Sequence, residues 1–321
     1  MPDPIPFWCP ACHGAPLRPD GDRLSCPSCS RRYPVIRGTP VLINDDNSVF
    51  AVADYAGEAA YSGASYGEAT DRHTGLRARY RRAVHRLSEF AIRRDGLDVE
   101  RALRAFCEGR ADRPRVLVIG AGSRRYAVPA DIHYTDVAFS DGIAAIVDAH
   151  DLPYADGSFD FVVAIAVLEH VADPQRVVGE IWRVLAPEGR VFAETPFLQP
   201  VHMGAHDFTR FTPLGHRRLF RCFREIESGL ALGPGAVAAW SVRMVLSNLV
   251  PSRRFRSVMS LVSLLLSVPL KLLDHVLRRN PASLDGAGGV FFYGVRQETA
   301  LPDRAIITLY RGGFRSSADP A

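Results

Sequence analysis

Phe161 to Val167 is an unbroken apolar run, FVVAIAV. Its length suits a strand, and the lack of polar alternation suits a strand buried on both faces of a parallel sheet. Asp173-Pro174 follows as a helix-opening pair. Aspartate caps the orphan N–H groups, and proline fits the first helical position because its missing N–H costs nothing there. Val177, Val178, Ile181, Val184 and Leu185 recur at three and four residues and make one apolar stripe, with Arg176, Glu180 and Arg183 away from it. Pro187-Glu188-Gly189 is expected to stop this helix, and Arg190 to Glu194 to form the next strand. Strand, helix, strand in that order demands a right-handed parallel crossover, hence an α/β fold.

The residues around this unit carry a family resemblance. Asp148 with Leu152-Pro153-Tyr154, Asp156-Gly157-Ser158-Phe159-Asp160, Val167-Leu168-Glu169-His170-Val171, and Arg183-Val184-Leu185-Ala186-Pro187-Glu188-Gly189 closely resemble the second half of class I S-adenosylmethionine (SAM) dependent methyltransferases of the methyltransferase-11 type. The resemblance implies a Rossmann-like domain with a mostly parallel seven-stranded sheet, and SAM as cofactor. Asp148 then matches the residue that meets the adenine amino group, with Ala149 as a backbone contact beside it. Leu168, Glu169 and His170 lie just past the fourth strand, where open parallel sheets bind ligands. For Glu169 and His170 the family motif favours a structural role in the loop over that of a base.

Upstream, Arg115 to Gly122, RVLVIGAG, reads as the first strand and its glycine turn. Small residues there let the backbone approach a ligand, and a helix expected after the turn would offer unpaired N–H groups. By resemblance, Gly120 and Gly122 hold the amino-acid half of SAM. Val118 stands where the family has an acid and Arg124 where it has a third glycine, so the methionine end of the pocket is expected to be altered. Ser123 to Ala130 leaves room for two helical turns. Ile132 to Asp136 reads as the second strand, with Asp136 as the candidate for the ribose hydroxyls. Only eleven residues separate Asp136 from Asp148, so the helix normally found between these strands is expected to be missing or reduced to a turn.

Cys9-Pro10-Ala11-Cys12 and Cys26-Pro27-Ser28-Cys29 are separated by thirteen residues, the spacing of a zinc ribbon. Four thiolates satisfy a tetrahedral Zn²⁺ without an open position, so Cys9, Cys12, Cys26 and Cys29 are assigned to a structural zinc; disulfides are the alternative. Residues Phe7 to Asn44 resemble the small zinc-ribbon subunits that activate tRNA and translation-factor methyltransferases. The resemblance implies a stabilising or substrate-presenting module; a plain structural ornament is the other reading.

The expected organisation is a zinc ribbon at 1–44, a linker at 45–74 with at most one short helix, a helical extension at 75–110, a methyltransferase domain at 111–300 and a tail at 301–321. Within the extension, Leu76 to Arg94 reads as a basic amphipathic helix and Val99 to Cys107 as a second short one. The methyltransferase domain carries a helical insertion at about 236–288, with apolar helices at Trp240 to Val250 and Ser257 to Leu273. Arg253, Arg254 and Arg256 before the second helix, and Arg278 and Arg279 after it, make an interfacial membrane contact through 253–279 one reading and a buried lid or dimer helix the other. Pro269 and Lys271 interrupt the apolar span before it reaches the about 20 residues a membrane crossing needs.

Past the fifth strand, the loop from Pro196 to Thr212 holds His202, His206, Asp207 and Arg210. It is similar to a loop in a subset of methyltransferase-11 proteins, at the place where class I methyltransferases bind acceptors. His202, His206 and Asp207 are the acid–base candidates, since histidine exchanges protons near neutral pH and a carboxylate can orient it. A metal site of the same three residues is a further reading, and an Asp207–Arg210 brace is the structural one. Thr212 to Phe223 reads as a helix, Glu225 to Leu232 as the sixth strand and Gly289 to Arg296 as the seventh.

Hydrophobic content of 47%, charged content of 23% and a net charge of +4 are those of a globular protein and do not by themselves argue for nucleic acid. Met1 to Trp8 lacks the basic start and apolar core of a secretory signal, so a cytoplasmic location is expected, with contact to the inner face of a membrane as its variant. The expected activity is methyl transfer to a small hydrophobic, lipid-linked or glycan acceptor. Ribosomal or transfer RNA is the rival acceptor, and a non-catalytic binding or scaffold protein is the reading from a different class.

Overall fold

The structure, a computed structural model, describes residues 5–56, 98–249 and 253–314, excepting the side chains of 253–261. The amphipathic helix expected at Leu76 to Arg94 and the tail from Arg315 lie outside the described residues.

The first strands are β1 (Arg18–Asp20), β2 (Arg23–Ser25), β3 (Arg32–Ile36) and β4 (Thr39–Leu42), a small antiparallel meander. Helix α1 (Val99–Cys107) opens on Asp98, whose side chain accepts from the Arg101 N–H at 2.8 Å. Then come β5 (Arg115–Ile119), β6 (Asp131–Asp136), β7 (Ala145–Val147), β8 (Phe159–Ile165), α2 (Pro174–Val184) and β9 (Leu185–Pro196). The chain ends its described part with α3 (Pro213–Leu219), β10 (Phe223–Leu232), α4 (Pro234–Asn248), α5 (Arg253–Leu272), α6 (Asp274–Leu277), β11 (Gly289–Arg296) and α7 (Asp303–Ile307).

Eleven strands follow one another in the order β1-β2-β3-β4-β7-β6-β5-β8-β9-β11-β10. From β7 to β9 all pairs are parallel, and β11 closes antiparallel between β9 and β10. Those seven strands are the expected mostly parallel sheet with its antiparallel finish. The cysteine module extends it: β4 pairs in parallel with β7, Val41 opposite Ile146 and Leu42 opposite Val147.

Strand alternation divides the core. Leu117 and Ile119 face α2, where Val177, Val178, Ile181 and Val184 are buried as the stripe requires. Val116 and Val118 face α1, whose Phe106 meets Phe161 edge-on with ring centroids 5.3 Å apart. Cys9, Cys26, Tyr33 and Leu42 join the α2 side of the core together with Tyr154 and Phe159. The small module therefore shares the large domain's apolar interior, which a module this short cannot supply for itself.

Three local expectations are corrected. Helix α2 ends at Val184, so Leu185 caps it and the strand label already begins there; Pro187-Glu188-Gly189 forms a bulge, with the β8–β9 register jumping between Phe159–Leu185 and Phe161–Arg190. Glu188 is left-handed at φ +60°, and Gly189 packs so closely on Ala186 that a Cβ would lie 2.7 Å from its carbonyl oxygen. No helix forms over 120–130, so the two turns expected there are absent, and the return at 137–144 is also non-helical. Residues 45–56, read from composition as linker, pack on the sheet: Tyr55 is fully buried and donates its hydroxyl to the Val137 carbonyl at 2.7 Å.

Candidate active site and metal centre

In the N-terminal module the four cysteine sulfurs converge. Cys9 Sγ lies 3.6 Å from Cys29 Sγ, Cys12 Sγ 3.6 Å from Cys26 Sγ, and all four fall within 4.8 Å of one another. A tetrahedral Zn²⁺ with Zn–S bonds of about 2.3 Å sets its sulfurs about 3.8 Å apart, so the donor set and spacing fit zinc. All six cysteines are free thiols, which removes the disulfide alternative. A Zn²⁺ held by Cys9, Cys12, Cys26 and Cys29 would be structural, because four thiolates leave no open position.

At the carboxyl ends of the parallel strands a cavity opens, lined by Ile119, Gly120, Val137, Asp148, Ala149, Val167 and His170. Gly120 takes φ +61°, and a Cβ there would lie 2.5 Å from Val167 Cγ2. Only glycine lets β8 and its following loop sit this close to the turn. Asp148 is held on both oxygens: Ser48 Oγ donates to Oδ2, while the His150 backbone N–H (3.0 Å) and Nδ1 (2.6 Å) meet Oδ1. The Asp173 N–H donates to His150 Nε2 at 3.0 Å, so the Nδ1 of a neutral His150 carries the proton given to Asp148. Val49 and Phe50, from the segment after the cysteine module, form another wall of this cavity.

Gly122 and Asp136 stand behind the lining and hold each other. The Gly122 N–H donates to Asp136 Oδ2 at 2.7 Å and the Ala138 N–H to Oδ1 at 3.0 Å, and Asp136 is 2% exposed. Burial raises its pKa against the pull of these N–H groups. Thus Asp136 braces the glycine turn, and because it is buried a ribose contact would require that turn to shift. Val118 is buried on the α1 side, leaving no carboxylate at that position of the first strand.

The histidine loop folds over the end of β8. Ala166 turns the chain at φ +56°, a left-handed conformation that costs an alanine about 1–2 kcal/mol, and thereby aims the next residues across the sheet edge. Glu169 is fully buried, and neither of its carboxylate oxygens has a hydrogen-bond partner. Burial pushes its pKa up to about 8. His170 Nδ1 donates to the His206 carbonyl at 2.7 Å, and burial lowers its pKa to about 4. His170 Nε2 lies 3.1 Å from His202 Nε2. Asp207 accepts from the His202 N–H at 2.9 Å and from Arg210 Nη2 at 2.7 Å; though burial opposes it, the Arg210 guanidinium holds this carboxyl down at about 2.

His202, His206 and Asp207 therefore do not form one ligand set. His206 stacks on Phe50 with ring centroids 5.3 Å apart, and Asp207 is bound to Arg210. His202 instead meets Glu169 and His170, two residues whose motif had suggested scaffolding. Sequence reasoning also missed Ser48 and Phe50, since no local pattern reports a contact made a hundred residues away.

Two family models match the chain: a methyltransferase domain over residues 87–193 and a Trm112p-like protein over residues 8–38. The chain is 50% identical to the norajmaline N-methyltransferase of Rauvolfia serpentina over 40 residues, 12% of this chain and 14% of that protein. It is 35% identical to an uncharacterized methyltransferase of Mycobacterium sp. (strain JLS) over 91 residues, 28% of this chain and 35% of that protein. A solved chain from the complex built around the Haloferax volcanii Trm112 methyltransferase activator is similar at 16% identity and a TM-score of 0.39, covering 75% of this chain and 96% of that one. The matches to the first curated relatives thus span only 14% to 35% of their length. Residues 87–193 thus match the methyltransferase domain family and residues 8–38 the Trm112p-like family, side by side in one polypeptide.

Proposed function

We propose that the chain is a SAM-dependent methyltransferase stabilised in cis by its zinc-holding module, acting on a small hydrophobic, lipid-linked or glycan acceptor. The observation that carries the reading is the cavity at the carboxyl edge, where the glycine turn after β5 and the acid after β7 meet. When bound, SAM supplies a methyl group on a sulfonium, already a good leaving group, so alignment matters more than acid–base power. Gly120 would let the backbone approach the amino-acid half of the cofactor. Asp148 and Ala149 would meet the adenine, with Ser48 and His150 fixing the carboxylate beforehand. Asp136 and Gly122 would shape the turn, Asp136 reaching the ribose only if the turn shifts to expose it. Phe50 and Val167 exclude water from the same space. His202 and His206 would face the acceptor and Asp207 would orient His202, a base being needed only if the acceptor loses its proton in the transfer step.

The acceptor class is inferred from α4, α5 and their continuation. Met244, Leu249, Leu265, Leu266, Leu273 and Val276 are each about half exposed or more, an apolar surface suited to an apolar chain or membrane interface. Among the described residues no helix is long and apolar enough to cross a membrane.

Calorimetric titration with SAM and S-adenosylhomocysteine tests the activity class. Micromolar binding by the wild type and at least tenfold weaker binding by Asp148→Ala are expected. A wild type that binds neither ligand abandons the enzyme reading in favour of a scaffold role. Salt-dependent binding of ribosomal or transfer RNA would move the acceptor to RNA.

A further inference from the structure

We propose that Glu169, His170 and His202 form a second metal site, for a divalent first-row cation, beside the cofactor cavity. Their donor atoms lie close together: His170 Nε2 to His202 Nε2 is 3.1 Å, and Glu169 Oε1 is 3.6 Å and 3.9 Å from the two nitrogens. Ligands held at about 2.1 Å, at angles between octahedral and tetrahedral, stand about 3.0–3.4 Å apart. The imidazole pair already has that separation, and the carboxylate needs only a small rotation.

Three further observations point to a cation. Glu169 is fully buried with both oxygens lacking a hydrogen bond, and a carboxylate removed from water without partners is expensive unless a positive charge compensates it. Both imidazoles are also oriented from behind. His170 gives its Nδ1 proton to the His206 carbonyl, which leaves an Nε2 lone pair aimed at the cluster. His202 Nδ1 lies 3.4 Å from Asp207 Oδ2, and Asp207 is clamped by Arg210. Outer carbonyl and carboxylate partners of this kind fix the tautomer and ring orientation of metal-ligating histidines. Finally, the His202 side chain is 32% exposed while His170 lines the cofactor cavity, so the cluster has an entry from solvent and a face towards the site.

Two imidazoles and one carboxylate suit Zn²⁺, Mn²⁺ or Fe²⁺ and leave coordination positions open. Those positions would take water or an oxygen of the acceptor; this last role rests on the methyltransferase reading, whereas the metal site does not.

The test uses the full chain with its cysteine site zinc-loaded, titrated with Mn²⁺ and followed by electron paramagnetic resonance, because a thiolate site already filled by zinc does not take this hard cation. One Mn²⁺ bound per chain is expected. His202→Ala, at a partly exposed position, should weaken it at least tenfold with unchanged thermal stability and zinc content. Asp207→Asn should weaken it about 10- to 100-fold while keeping all three ligands. Glu169→Gln removes the charge without changing the volume and should abolish binding. Absence of Mn²⁺ binding by the wild type at millimolar concentration, or equal affinity in wild type and His202→Ala, overturns the site and leaves a hydrogen-bonded histidine pair above a neutral glutamic acid. SAM titration of the same samples reads the methyltransferase proposal separately.

Discussion

Asn44 donates its side-chain amide to Asp151 Oδ2 at 2.9 Å, tying the end of the cysteine module to the loop after β7. Asn47 reaches the same oxygen at 3.0 Å, and Arg176 from α2 binds the other. His13, from the first cysteine knuckle, stands 3.9 Å from Oδ1. Asp151 is thus the charged centre of the joint between the two parts of the chain.

This joint predicts an acid-sensitive stability. Burial works to raise the Asp151 pKa, but hydrogen bonds from Asn44, Asn47 and Arg176, with the His13 imidazole nearby, bring it down from 3.8 to about 2. A carboxyl depressed in the folded state stabilises above its unfolded pKa, and that contribution is lost as the pH falls through about 4 to 2. The full contribution is on the order of 2 kcal/mol. Urea unfolding of the wild type and Asp151→Asn should differ by about that much at neutral pH and converge near pH 2; a constant difference across the range would count against the linkage.

Zinc removal should be felt beyond the module that binds it. Because β4 pairs with β7 and Cys9, Cys26 and Tyr33 share the α2 side of the core, Cys29→Ser should lower the thermal midpoint of the whole chain, by on the order of 10 °C. It should also weaken SAM binding, since Ser48 and Phe50 hang from this module. A midpoint and a cofactor affinity both equal to those of the wild type would show the module to be an independent ornament.

Gly120→Ala combines two penalties, a left-handed φ and a Cβ 2.5 Å from Val167 Cγ2. Gly109→Ala provides the control, with φ +73° but nothing within 4 Å of the added carbon. The control should lose about 1–2 kcal/mol from backbone strain alone. The Gly120 variant should lose more, and its SAM affinity should fall with it. Equal losses in chemical denaturation would remove the close-packing argument.

Asp274 caps a helix it does not belong to. It lies in α6 and accepts from the Gly235 and Ala236 N–H groups of α4 at 2.7 Å and 3.1 Å, while itself 1% exposed. Asp274→Ala leaves two buried N–H groups unpaired, at a cost of about 1–3 kcal/mol each. Hydrogen exchange should accelerate across α4 and α5 while the parallel strands stay protected. Uniform exchange changes would show instead that this helical pair is inseparable from the core.

Much of the sheet was legible because its signals are local. Phe161 to Val167 has no polar alternation, and Asp173-Pro174 caps α2 as read, with the Arg176 N–H on Asp173 Oδ1 at 3.0 Å. Gly289 to Arg296 is bounded as expected. The missing helix between Asp136 and Asp148 followed from chain length alone. The absent turns after Gly122 were not legible, since eight residues can always be drawn as two helical turns, whereas Asp136 instead captures the Gly122 N–H.

By itself, the sequence determined the two family resemblances, the four-sulfur set and the order of strands along the chain, because each depends on spacing within short windows. Tertiary structure decided the rest. It placed β4 on the edge of the parallel sheet, set Ser48 against Asp148, and brought His202 Nε2 to Glu169 and His170. Those contacts join residues thirty to a hundred positions apart, and their geometry comes from how the sheet edge gathers loops, which no local periodicity encodes.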